Sequence, residues 1–280
     1  MMKQPAAERF EDIVSGPDEN INLAGAALLI ARQEYPDLDI EACLRRIEFM
    51  AEECRRRIGA DPGCARVIER MNEYLFVELG FRGDLTTFND PRNSFLNEVI
   101  ERRQGIPISL SVIYIEIGRR LGLPVHGISF PGHFLVRVEA EPGTIILDPF
   151  SKGMILDQAE LERRLSHFSG RQRRGWDMQQ LLVPASSKEI LARMLRNLKN
   201  LYIEQEDYER ALNSVNMILS ITPGAPLEIR DRAFIHDQMD HMRAAVGDYE
   251  RYLLLSPESS DVDSVRMRLA DLKDRIGRLH

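Results

Sequence analysis

The segment from Gly105 to Phe150 constrains this chain more than any other, because it sets what reads as a buried helix between helix-start and helix-stop signals and follows it with two strand-like stretches. The pattern predicts a buried helix over Ile108–Leu121, entered through Gly105-Ile106-Pro107 and closed by Gly122-Leu123-Pro124. Pro near the first turn and Gly just past the end are what helix geometry prefers. Strands are predicted over Pro131–Val138 and Thr144–Asp148. Side chains alternate along a strand, so His133, Leu135 and Arg137 share one face while Phe134, Val136 and Val138 share the other.

His133 and Asp148 are the chemistry-bearing pair of this hairpin, and the turn decides how they meet. If Pro142-Gly143 form a two-residue turn, Glu141 pairs with Thr144 and Asp148 falls opposite Arg137, about 13 Å along the strand from His133. If the turn centres on Ala140 and Glu141, Asp148 lies opposite His133, where a carboxylate orients an imidazole. Both registers keep Asp148 on the His133 face. Ser109 and Ser111 are the hydroxyls nearest the start of the helix. Ser109 beside a His is open to general-base activation, and equally to a capping or small-core role, which is the commoner use of such a Ser.

Upstream, apolar spacing predicts helices over Ile21–Glu34, over Asp39–Ile58 with Asp39 as N-cap, and from Pro62 to Leu79. The Asx- and Gly-rich stretch from Gly83 to Ser94 reads as a loop leading into a helix over Ser94–Arg103. There Asn93 or Ser94 is the expected N-cap. The alternative is that Asp90 or Asn93 borders the His133 cleft and contacts a bound group.

From Lys188 onward the chain repeats. Ala211 and Ala245 stand 34 residues apart, as do Pro223 and Pro257, and Asp207-Tyr208-Glu209 returns out of phase as Asp248-Tyr249-Glu250. That period, with a small residue in a helix and Pro at its end, is the tetratricopeptide pattern of stacked helix pairs. Two pairs are few for a free-standing solenoid, so Leu191–Leu279 is expected to pack on the preceding domain.

The net charge of −7 argues against a nucleic-acid partner held by a general basic field. The run Arg171-Gln172-Arg173-Arg174-Gly175-Trp176 is read as a solvated linker face. No stretch has the length and apolarity of a membrane helix or a signal peptide, so a cytoplasmic protein is expected. Cys43, Cys54 and Cys64 are odd in number and lack metal-ligand spacing, so no disulfide framework, metal or cofactor is expected. His126 is read as a strand-edge residue, and His167, His236 and His241 as surface or packing residues.

Gly83-Asp84-Leu85, Asn89 to Leu96, Arg103 to Pro107, Arg119 to Pro124, Pro131 to Leu135 and Asp148-Pro149-Phe150 together resemble the transglutaminase-like core of papain-type enzymes, in the form that the bacterial SirB-type family joins to tetratricopeptide-like helices. With Asn22-Leu23-Ala24 and the C-terminal repeats, the resemblance spans nearly the whole chain. It implies an α+β fold with an N-terminal helical part of the core at 1–82, the papain/transglutaminase-like core at 83–187 and helical repeats at 188–280. It also implies a Cys at the start of the helix, facing the His and Asp. Counted back without gaps from Gly122-Leu123-Pro124, that Cys position falls on Pro107, which carries no reactive group. Two readings follow. The preferred one is a core that has lost its thiol, coupled to repeats that bind a protein or peptide. The other is a hydrolase or acyl-transfer enzyme with Ser109 or Ser111 as nucleophile, His133 as base and Asp148 orienting it. This second reading asks an alcohol to do the work of a far better nucleophile, with no nucleophile elbow to help it.

Overall fold

The computed structural model describes residues 6–59, 62–169 and 177–278, and the basic run at 171–176 lies outside them. The chain divides into two compact units, Met1–Met194 and Leu195–His280.

The first unit opens with helices α1 (Ala6–Ser15), α2 (Leu23–Ala31), α3 (Ile40–Ile58) and α4 (Cys64–Asn72). Asn22 caps α2 and Asp39 caps α3, each accepting from a first-turn amide at 2.9 Å. The expected helix from 62 to 79 is α-helical only to Asn72 and widens into a π-helical turn over Glu73–Glu78. A short parallel pair, β1 (Arg82–Gly83) with β2 (Gln104–Gly105), brackets the loop and helix α5 (Leu96–Arg102). Helix α6 (Pro107–Arg120) follows, with Pro107 at its first position, where a missing N–H leaves no helical bond unmade. Every residue from Pro107 to Gly118 is buried, as the sequence pattern predicts.

Strands β3 (Val125–Ile128), β4 (Leu135–Ala140), β5 (Gly143–Asp148), β6 (Met154–Ile155) and β7 (Pro184–Ala185) form an antiparallel sheet in the order β6-β5-β4-β3-β7. The first strand of the hairpin is therefore shorter than expected at its start. His133 lies in the turn before β4, and Phe134 leads into the strand. The register matches neither sequence alternative. Ala140 pairs with Gly143 and Val136 with Leu147, so the turn is Glu141-Pro142 and the ladder carries Asp148 toward Leu135. Pro142, which has no N–H to give a ladder, is thereby kept out of the strands. Helices α7 (Gln158–Ser169) and α8 (Met178–Leu181) follow β6, and α7 packs Leu161 into a cluster with Ile128, Phe130, Leu135, Ile146 and Leu156.

Tyr114 of α6 is fully buried, and its hydroxyl donates to Asn72 Oδ1 at 3.0 Å. The Asn72 amide in turn donates to Gly153 O at 3.0 Å. Gly153 has φ +73°, and a Cβ there would sit 2.2 Å from Asn72 Oδ1.

Helix α9 (Ser187–Glu204) runs into the second unit, which continues with α10 (Tyr208–Ile221), α11 (Pro226–Gln238), α12 (Met242–Leu255) and α13 (Val262–Arg278). The 34-residue spacing is structural: Ala211 and Ala245 are both fully buried and occupy the fourth position of α10 and α12. Pro223 and Pro257 follow the C-caps Thr222 and Ser256. The Asp-Tyr-Glu repeat is a coincidence of letters, since Asp207 caps α10 while Asp248 lies inside α12. Ion pairs cross-link the helices. Buried Lys199 contacts Glu228 at 2.7 Å and Asp231 at 2.5 Å, and Arg230 contacts Asp261 at 2.8 Å. Gly153→Ala is expected to cost the first unit about 3 kcal/mol, from the left-handed backbone and the clash with Asn72 together. A fall in the urea midpoint at unchanged slope checks it.

Candidate functional site

Asp148 ends β5 and has no exposed surface. Its Oδ1 accepts from Phe150 N at 3.0 Å and faces His133 Nε2 at 2.9 Å. Its Oδ2 accepts from Ser151 Oγ at 2.7 Å and from Arg164 of α7 at 2.5 Å. Burial pushes the Asp148 carboxyl up, but the hydrogen bond and charge of His133, with Ser151 and Arg164, outweigh it and hold the group well below the usual carboxylate range. Arg164 is aimed by Glu160, one turn earlier on α7, at 2.8 Å.

His133 is fixed by its backbone. Its N–H donates to Phe130 O at 3.1 Å, and its carbonyl accepts from Arg193 at 2.6 Å. Arg193 also reaches Ser129 Oγ and Phe130 O, with its guanidinium 5.5 Å from the Phe134 ring centre. The imidazole meets Phe150 edge-on at 5.8 Å, and Phe150 meets the half-exposed Phe88 at 6.4 Å. Gly83 admits this stack, because a Cβ at that position would lie 2.5 Å from the Phe150 ring. A carboxylate only accepts, so Nε2 carries a proton toward Asp148, and among the described residues Nδ1 has no hydrogen-bond partner. The structure thus brings His133 and Asp148 together although neither expected register holds: the bend before β4 returns the imidazole to the carboxylate.

Ser109, the candidate nucleophile, takes the capping role that its place in the helix also allowed. Ser109 is fully buried, and its hydroxyl donates to Asn93 O at 2.6 Å and approaches Ile106 O at 3.1 Å while accepting from Ile106 N at 3.1 Å. This is the capping arrangement, with no hydrogen bond to His133. Gly105 makes room for it, since a Cβ there would lie 2.6 Å from Ser109 Oγ. Ser111 is also fully buried, and its hydroxyl has no partner. Cys43 and Cys54 are buried in α3, and burial pushes the Cys54 thiol up to about 11. Cys64 lies at the start of α4 with its sulfur 4.0 Å from Glu139 O.

Neither Asn93 nor Ser94 caps α5, whose N-cap is Phe95 without a side-chain bond. Asn93 closes a 3-10 turn over Pro91–Asn93 and is fully buried, donating to Thr87 O at 2.7 Å and Asp84 Oδ2 at 3.2 Å. Asp90 caps that turn at Arg92 N and pairs with the Arg92 guanidinium at 2.6 Å. Both residues hold the loop in shape. Asp84, bonded to the amides and hydroxyls of Thr86 and Thr87, is held well below the usual carboxylate range chiefly by Thr87. Sequence reasoning missed Arg164, Ser151, Phe150 and Arg193 as partners of the dyad. Only Phe150, through its place in Asp148-Pro149-Phe150, carried a signal. Among the described residues no group of three or more His, Cys, Asp and Glu side chains is arranged to hold a metal, and no helix is long and apolar enough to cross a membrane.

Residues 41–196 match the model of the transglutaminase-like superfamily, and residues 198–270 match a tetratricopeptide repeat model. The chain is 40% identical to a UPF0162 protein of Xylella fastidiosa strain Temecula1 over 281 residues, covering 100% of both. It is 32% identical over 252 residues to the UPF0162 protein PA3419 of Pseudomonas aeruginosa, covering 88% of this chain and 89% of the relative. It is 24% identical over 263 residues to the UPF0162 protein YchA of Escherichia coli K12, covering 89% and 91%.

Asp148→Asn is expected to destabilise the first unit by about 3 kcal/mol, since it leaves Arg164 facing an uncharged group in a buried site. The folded-state pKa of Asp148 lies below its unfolded value of about 3.9, so its contribution is complete above that range and lost as pH falls through the folded value. The gap in unfolding free energy between wild type and variant should stay constant above about pH 5 and narrow in more acid solution.

Proposed function

Since the chain belongs to the transglutaminase-like superfamily and to the UPF0162 family, we propose that it is a member without acyl-transfer chemistry, working as a protein-interaction module. Its helical repeats take a protein or peptide partner, and an acidic chain of net charge −7 suits such a partner better than a nucleic acid. The observation that carries this reading is the Ser109 hydroxyl. It is closed off by Asn93 O and the Ile106 backbone, two residues from a Pro107 that offers no nucleophile. The His133–Asp148 dyad then serves the fold, tying the turn before β4 to the end of β5.

One observation favours a second reading. Ser111 lies four residues from Pro107 on the same helix face, its hydroxyl is unpartnered, and His133 Nδ1 is available as a base. In that reading the Ser111 Oγ adds to an acyl carbonyl as its proton passes to Nδ1, with Asp148 stabilising the imidazolium, and the adduct collapses to acyl-Ser111 as the bond to the leaving group breaks and the imidazolium protonates it.

Labelling the purified full chain with serine- and cysteine-reactive acylating probes separates the two. The interaction reading expects no adduct on Ser109 or Ser111 that depends on His133, and the same pattern in His133→Ala. A Ser111 adduct that disappears in His133→Ala and in Ser111→Ala would overturn it. Ser109→Ala is expected to lower stability by about 1–2 kcal/mol through the lost cap, with no change in labelling.

A further inference from the structure

The loop that joins one helix to the next occurs twice, with the same backbone, in the second unit. Glu206 has φ +58° and Asp207 N donates to Tyr202 O at 2.8 Å; one repeat later Asp240 has φ +57° and His241 N donates to His236 O at 2.8 Å. In the first copy the Asp207 side chain caps α10, accepting from Arg210 N at 3.2 Å. In the second copy the cap position holds His241, which makes no cap bond, and the residue five before it is His236. The same loop that brings Tyr202 and Asp207 together therefore brings two imidazoles together. Their Nδ1 atoms are 3.4 Å apart, with ring centres at 5.6 Å and planes tilted by 48°.

That separation is long for an N–H···N hydrogen bond. Two metal–nitrogen bonds of about 2.05 Å meeting near the tetrahedral angle place their nitrogens about 3.4 Å apart. We propose that His236 and His241 chelate a divalent transition-metal ion through their Nδ1 atoms, with water in the remaining positions. Imidazole ligands with open positions suit Cu2+, Ni2+ or Zn2+ and not Mg2+ or Ca2+. The nearby carboxylates are already held by arginines: Asp237 by Arg268 at 2.5 and 2.7 Å, Asp240 by Arg275 at 3.0 Å, and Asp248 by Arg232 at 2.7 and 2.8 Å. Among the described residues no third side chain completes a cluster, so the chain supplies two ligands. His236 is half-buried at the end of α11 and His241 is exposed at the start of α12, so a bound ion would clip the two helices together.

Calorimetric titration of the untagged full chain with NiCl2 tests this, in wild type, His236→Gln and His241→Gln, with circular dichroism confirming the fold. The expected result is one Ni2+ per chain, at least about tenfold weaker binding in each variant, and no response to MgCl2. Added Ni2+ should raise the unfolding temperature of wild type alone. Equal affinity in wild type and His241→Gln, or no binding at millimolar Ni2+, would overturn the proposal. Exposed His241 keeps the test decisive even if His236→Gln misfolds.

Discussion

Asp148 is an ionised carboxylate with no exposed surface, and its two oxygens gather four partners from separate stretches: the His133 imidazole, the Phe150 amide, the Ser151 hydroxyl and the Arg164 guanidinium. A buried charge is tolerable only when paired and fully hydrogen-bonded. The turn before β4, the end of β5, the 3-10 turn at Pro149–Ser151 and helix α7 are thus held to one another through a single side chain. The Phe88–Phe150–His133 stack and the Gly83 backbone that admits it are arranged around the same point.

The same economy of partners explains the quiet start of α6. The helix begins in a fully buried environment, where an unpaired amide is costly. Pro107 removes one donor, and Ser109 satisfies another at Ile106 while bonding back to Asn93 O. Pro107 and Ser109 are in this way both occupied with closing the helix. Asn93, Asp84 and the two threonines do the equivalent for the preceding loop.

Much of this was legible in the letters, and what was not has a physical reason. Helix α6 was readable because Pro107 and Gly122 punctuate a largely apolar run, and α3 because Asp39 caps a regular apolar stripe. Which face of the hairpin carries Asp148 was readable too, because alternation survives any even shift in pairing. The register was not: Pro142 rules out only the turn at Ala140-Glu141, which would put it in a strand, and nothing local separates a Pro142-Gly143 turn from the observed Glu141-Pro142 turn, which shifts the pairing by two residues. His133 was taken for a strand residue because its neighbours alternate, whereas its backbone bonds to Phe130 O and Arg193 bend it out of the ladder. The caps proposed for α5 failed because Asn93 is needed by Asp84 and Thr87, a requirement set by burial rather than by position next to a helix. Arg164 left no trace because its partner lies in a different element. In the repeats, spacing located Ala211 and Ala245 correctly, while the shared Asp-Tyr-Glu triplet misled because the two copies occupy different helix positions.

The Asp148 arrangement also bears on the order in which the chain closes during synthesis. The carboxylate is made before Arg164, and until that guanidinium arrives one of its oxygens lacks its charged partner. While the nascent chain ends short of α7, water remains the better host for Asp148, and β5 cannot sink its end into the interior. Helices α1 to α6 carry no such debt and are free to associate as they emerge. The dyad is in this sense a late seam: the part of the first unit that is sealed only after the ribosome has delivered the residues beyond it.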